Sequence, residues 1–135
     1  MKQFKSKIQN DVVTYVFDQN HTYISIDVNI VDKTGYISTF KKNKQSVNAS
    51  RELMNALIFI KPHTKTISLK SSPERSQNAI EYMNKYNLKP SEIRQHQQQN
   101  LNKYYKKLGF TYVVDDAPNQ FEAKINDVIN TIKTL

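Results

Sequence analysis

Between residues 24 and 60 the hydrophobic period changes from two to about 3.6, and this switch constrains the fold more than any other feature of the sequence. Ile24, Ile26, Val28 and Ile30 alternate with Ser25, Asp27 and Asn29, the pattern of a strand with one buried face. Residues 12–17 and 36–40 repeat the alternation over shorter runs, and residues 2–8 do so weakly, as an edge strand whose lysines discourage further pairing. Leu53, Ala56, Leu57 and Ile60 then form one stripe of an amphipathic helix. A chain that makes strands first and helices afterwards builds an α+β domain.

Turn chemistry fixes the boundaries. Asn10-Asp11, Gln19-Asn20-His21 and Asp32-Lys33-Thr34-Gly35 separate the strands, so the first 41 residues read as an antiparallel meander. Asn48 or Ser50 can cap the first helix, and Pro62 stops it. Residues 66–69 form a further strand. Pro73 stands near the start of a second helix with the stripe Ala79, Ile80, Tyr82, Met83 and Tyr86. A third helix follows Pro90 and runs from about Ser91 to Leu108. Residues 110–114 read as a strand. Asp116 then caps a final helix with the stripe Phe121, Ile125, Val128, Ile129, Ile132 and Leu135. The expected order is ββββ-α-β-α-α-β-α, a single domain over residues 1–135.

The formal net charge of +8 points to anionic partners. Only three of the 20 basic residues are arginines (Arg51, Arg75 and Arg94), which disfavours bidentate reading of guanines and with it sequence-specific DNA recognition. The chain has no cysteine, excluding disulfides, thiolate nucleophiles and Cys-ligated metals. His21, His63 and His96 lack metal-ligand spacing. There is no nucleophile elbow, no P-loop and no carboxylate pair spaced for glycoside hydrolysis. The first residues lack the apolar core of a signal peptide and no segment is long enough to span a membrane. The expectation is a soluble, cytoplasmic protein.

The stretch with most chemical content is Asn100-Leu101-Asn102-Lys103-Tyr104-Tyr105-Lys106-Lys107-Leu108-Gly109-Phe110, an amphipathic helix ending in Gly-Phe and running into a strand. It resembles the helix that closes the coenzyme site in the GNAT family of N-acetyltransferases, where a Tyr four residues before that Gly protonates the departing thiolate of coenzyme A. Here that Tyr is Tyr105, and the resemblance also places Asn100 in the coenzyme site. The family's phosphate loop, Gln/Arg-x-x-Gly-x-Gly/Ala, is similar to Gln45-Ser46-Val47-Asn48-Ala49-Ser50, with Asn48 and Ser50 at the two glycine positions. The resemblance spans residues 36–114. It implies a mixed sheet flanked by helices, acetyl-coenzyme A as co-substrate, and direct attack by an amine of a protein or small molecule. Phosphate would sit on the helix that starts near Asn48, with Gln45, Asn48, Ala49, Ser50 and Arg51 around it. Lys41, Lys42 and Lys44 would supply charge, and a backbone N–H at the end of the 36–40 strand, at Phe40, would polarise the thioester. Members of the family usually place two helices after the first strand and end in another strand; here residues 1–41 read as strands and residues 117–135 as a helix.

Asp27, Asp32 and His21 are the candidates for the group that deprotonates the acceptor amine. Tyr104 reads as a residue that packs on the sheet. A faint internal echo sets Asn78, Tyr82 and Lys85 against Asn100, Tyr104 and Lys107 at constant offset, and by itself it points to no chemistry. The competing expectation is a non-catalytic protein of the same scaffold, using its basic surface to bind nucleic acid or an acidic protein, with the C-terminal helix available for a homodimer.

Overall fold

The computed structural model describes residues 4–42, 48–71, 79–113 and 119–135. Four strands open the chain: β1 (Phe4–Gln9), β2 (Val12–Gln19), β3 (Thr22–Asn29) and β4 (Thr34–Lys42). Two-residue turns join β1 to β2 and β2 to β3. Asn10 and Asp11 have φ of 51° and 65°, and Asn20 and His21 have φ of 52° and 62°. Hairpin turns that match the twist of the strands need φ above zero at both central residues, and Asn and Asp tolerate it best. The third turn is tied differently, with the Asn29 carboxamide oxygen accepting from the amides of Val31 and Asp32. The meander is therefore closed by local chemistry, and its strands pair within one sheet.

The helix α1 (Ala49–Ile60) follows, ending in a 3₁₀ turn at Lys61–His63 that carries Pro62. Then come β5 (Thr66–Lys70), α2 (Ala79–Tyr86), a 3₁₀ turn at Pro90–Glu92 and α3 (Ile93–Lys107). The chain ends with β6 (Thr111–Tyr112), β7 (Gln120–Lys124) and α4 (Ile125–Lys133). The seven strands form one mixed sheet in the order β1-β2-β3-β4-β5-β7-β6, with β4 and β5 parallel. Among the described residues the architecture is α+β, a mixed sheet with four α-helices.

The tail differs from expectation. Residues expected to be wholly helical divide into β7 and α4. Phe121 and Ile125, four apart, fit a helical stripe, but Phe121 faces the core from a strand whose neighbours Gln120 and Glu122 are exposed. Pairing with β5 on one side and β6 on the other makes β7 an interior strand. Those ladders override the helical spacing. The strand expected at 110–114 is also shorter, limited to Thr111 and Tyr112 among the described residues.

One face of the sheet is apolar. Val13, Phe17, Ile24, Ile26, Val28, Ile37, Ile67, Leu69 and Phe121 are buried, and all but Val13 join Leu53, Leu57 and Ile60 of α1 and Val128, Ile129 and Ile132 of α4 in one core. Side chains of this size contribute roughly 1.5–3 kcal/mol each on full burial. The alternate positions are polar, as in Thr14, Asp27, Tyr36, Ser68 and Glu122, and half-buried or exposed, the usual result of an antiparallel sheet packed on one side. Gly35 pairs with Ile67 in the β4–β5 ladder, and a Cβ there would stand 2.8 Å from Ile67 Cδ1, so that side chain would have to shift.

Candidate functional site

The site arises where two parallel strands part. The ladder between β4 and β5 runs from Thr34 and Thr66 to Ile37 and Leu69, whereas β4 continues to Lys42. A bulge sits at the same place. Ser25 faces Thr39 and Ile26 faces Ile37, leaving Ser38 as the extra residue, with its hydroxyl donating to the Ser25 carbonyl at 3.1 Å. Bulges bend and re-aim a strand. Beyond this one, Phe40, Lys41 and Lys42 line a cavity of about 540 Å³. The facing wall is α3, through Gln97, Asn100, Leu101, Tyr104 and Tyr105, and the outer wall is α2, through Tyr82 and Tyr86. No carboxylate is present among the described lining residues, so the charge that the wall offers is positive.

The first turn of α1 is linked to this wall. Asn48 caps the helix, its side-chain oxygen accepting from the Arg51 amide at 3.0 Å, and its carbonyl accepts from Glu52. Its φ of −149° is extended, so this position makes no use of glycine's left-handed freedom. Among the described residues these bonds leave the amides of Ala49 and Ser50 for an anion. The hydroxyls of Ser50 and Tyr104 share a hydrogen bond of 2.8 Å, tying the helix start to α3. The Lys42 ammonium lies 5.3 Å from the centre of the Tyr104 ring, and Phe40 packs beside the same ring.

Tyr105 is the more buried of the two adjacent tyrosines, 8% exposed, and Tyr104 is half-buried. Sequence reading expected Tyr104 to be the packing residue; both line the cavity, and Tyr105 makes the deeper contacts, with Phe110 and Phe121. Burial pushes the Tyr105 hydroxyl up to about 12, and the neighbouring Tyr104 adds to the shift. Burial also raises Tyr104, and the Ser50 hydrogen bond offsets part of that rise.

Of the residues expected in the site, Phe40, Lys41, Lys42, Asn100 and Tyr105 line the cavity, and Ser50 reaches it through Tyr104. Asn48, Ala49 and Arg51 lie on the first turn of α1 without lining it. Lys44 and Gln45 fall outside the described residues. None of the three candidate bases is there. Asp27 accepts a 2.7 Å hydrogen bond from Thr14 on the polar face of the sheet, while Asp32 and His21 occupy turns. The residues that sequence reading missed are Tyr82, Tyr86, Gln97, Leu101 and Tyr104. Two of them, Tyr82 and Tyr104, belong to the internal echo, and both line the cavity.

The described residues hold no group of three or more His, Cys, Asp or Glu side chains arranged for a metal ion, and no helix among them is long and apolar enough to cross a membrane. No family model, curated protein or solved structure matches this chain.

Proposed function

We propose that the protein is an acyl-coenzyme A-dependent N-acyltransferase of GNAT type that transfers an acetyl group to an amine. The observation that carries this reading is the meeting of Tyr105 with the Lys41 and Lys42 pair at one aromatic-walled cavity, to which the α1 first turn is tied by the Ser50–Tyr104 hydrogen bond. Acetyl-coenzyme A is long, anionic at its phosphates and apolar along its arm, and this wall offers both cations and aromatic rings. The amides of Ala49 and Ser50, with both lysines, would bind pyrophosphate. The stretch of β4 past the Ser38 bulge would direct a backbone N–H at the thioester carbonyl. Tyr105 would return a proton to the thiolate as the carbon–sulfur bond breaks. Strand β7, followed by α4, is compatible with the strand that members of the family place near their end.

The departures from the family bear on the acceptor. The Asn10-Asp11 turn joins β1 directly to β2, leaving no place for the helix pair that usually builds the acceptor pocket. This favours a second reading, a protein that keeps the scaffold and binds an anionic partner without turnover.

Thermal denaturation with acetyl-coenzyme A, coenzyme A, ATP or a short DNA duplex separates the two. A ligand at about 100 times its Kd adds roughly 2.7 kcal/mol, which raises Tm by several degrees. A saturable rise with both coenzymes but not with ATP or DNA is expected. No rise with acetyl-coenzyme A, or one matched by DNA, rejects the acyltransferase. Tyr105→Phe is expected to lower turnover at least about tenfold, since general acids typically contribute 10²–10⁴-fold, with coenzyme affinity little changed.

A further inference from the structure

An amine that attacks a thioester must lose a proton, and the carboxylates considered from sequence lie elsewhere. Resting on the acyltransferase reading, we propose that Tyr82, oriented by Asn100 and backed by His96, takes that proton. Tyr82 and Asn100 line the cavity from opposite helices. The Tyr82 hydroxyl lies 2.8 Å from His96 Nδ1, and Asn100 Nδ2 donates to the same oxygen at 3.3 Å. A carboxamide nitrogen can only donate, so the Tyr82 oxygen accepts from Asn100, and the relay requires Tyr82 to send its own hydrogen to His96. That assignment puts the His96 proton on Nε2 and leaves the Tyr82 oxygen one lone pair for a donor in the cavity. The His96 ring is held in place by Tyr86, 4.5 Å away centre to centre, and by the edge of Tyr82 at 5.7 Å.

The proton balance closes. The amine nitrogen bonds to the thioester carbon, and the cationic tetrahedral nitrogen gives a proton to the Tyr82 oxygen. The original Tyr82 proton moves to His96 Nδ1, 2.8 Å away. The carbon–sulfur bond then breaks, its electron pair leaves on sulfur, and Tyr105 protonates the thiolate. His96 ends cationic and Tyr105 anionic, and exchange with solvent restores both. Tyr82 and Tyr105 line the same cavity, and the relay requires one tetrahedral carbon there to have its nitrogen near Tyr82 and its sulfur near Tyr105.

Two measurements test this on the full chain. Long-range ¹H–¹⁵N correlation of the imidazoles should show His96 protonated on Nε2 with Nδ1 as acceptor, and Tyr82→Phe should abolish that preference. Protonation on Nδ1 overturns the proposal whatever the acceptor. Thiol release from acetyl-coenzyme A is then followed with alkylamines, amino acids, polyamines and a lysine peptide. Tyr82→Phe and His96→Gln should each lower kcat at least about tenfold, with the Kd for acetyl-coenzyme A changed less than twofold. Gln can still accept the Tyr82 hydrogen but cannot take up a proton, so near-normal turnover in His96→Gln would make His96 a mere support and overturn the relay while leaving the acyltransferase standing. Absence of thiol release from the unsubstituted protein with every amine overturns both.

Discussion

Tyr105 carries opposing demands in one side chain. Burial holds its hydroxyl protonated, with a pKa pushed up to about 12, so the donor form is present throughout the neutral and mildly alkaline range. The same burial makes it a reluctant donor, since each pKa unit is about 1.4 kcal/mol, and under the proposed role transfer to sulfur would have to accompany bond cleavage. The shift also has a consequence for stability. The folded value lies above the unfolded value near 10, so the contribution is complete below about pH 10 and is lost as pH rises through about 12. At pH 11 the linkage for this one group is about 1.4 kcal/mol. Thermal denaturation of Tyr105→Phe between pH 9 and 11.5 should therefore show a shallower fall in Tm than the unsubstituted protein. Parallel curves would mean that Tyr105 ionises as freely in the fold as out of it.

At the scale of elements, the Gly-Phe ending of α3 has a complete structural account. The Phe110 amide donates to the Tyr105 carbonyl and the Gly109 amide to that of Lys106, both at 3.1 Å. Gly109 has φ of 104°, and the Phe110 and Tyr105 rings meet edge to face. This is the Schellman closure with its hydrophobic contact, and it aims Tyr105 at the core and cavity together. A Cβ on Gly109 would be strained by that φ and would stand 2.9 Å from Thr131 Oγ1. Gly109→Ala should cost about 1–3 kcal/mol, read as a lower denaturation midpoint at unchanged m-value; an unchanged midpoint would refute this account of the cap. The sequence made this cap legible because Gly at a helix end is local chemistry. The meander was legible for the same reason, through Asn10-Asp11 and the alternation of residues 24–30. Strand β7 was not, because five residues with a single buried Phe121 take their identity from β5 and β6. The α2 wall was not either: Tyr82 and Tyr86 read as an ordinary helical stripe, and only the fold brings them to the cavity that Lys41 and Lys42 also line.

For the whole molecule, the open question is what a net charge of +8 is for. Spread over the surface, it would draw any polyanion, and affinity would fall steeply with salt, by nearly one log unit per log unit of salt for each phosphate contacted. Gathered at the parting of β4 and β5, it would act on one ligand at short range. The Lys41 and Lys42 pair distinguishes the two, because both residues line the cavity and Lys42 leans over Tyr104. Screening acts over about 10 Å at 0.1 M salt and about 3 Å at 1 M. The double variant Lys41→Ala, Lys42→Ala should weaken acetyl-coenzyme A binding at least about tenfold at low salt, with the gap to the unsubstituted protein narrowing as salt is raised. Isothermal titration at two salt concentrations checks it. Binding of a DNA duplex should change far less, since two of 20 basic residues are removed. If instead DNA affinity collapses and coenzyme affinity does not move, the lysines belong to a polyanion surface, and the cavity beside them has no part in holding the coenzyme.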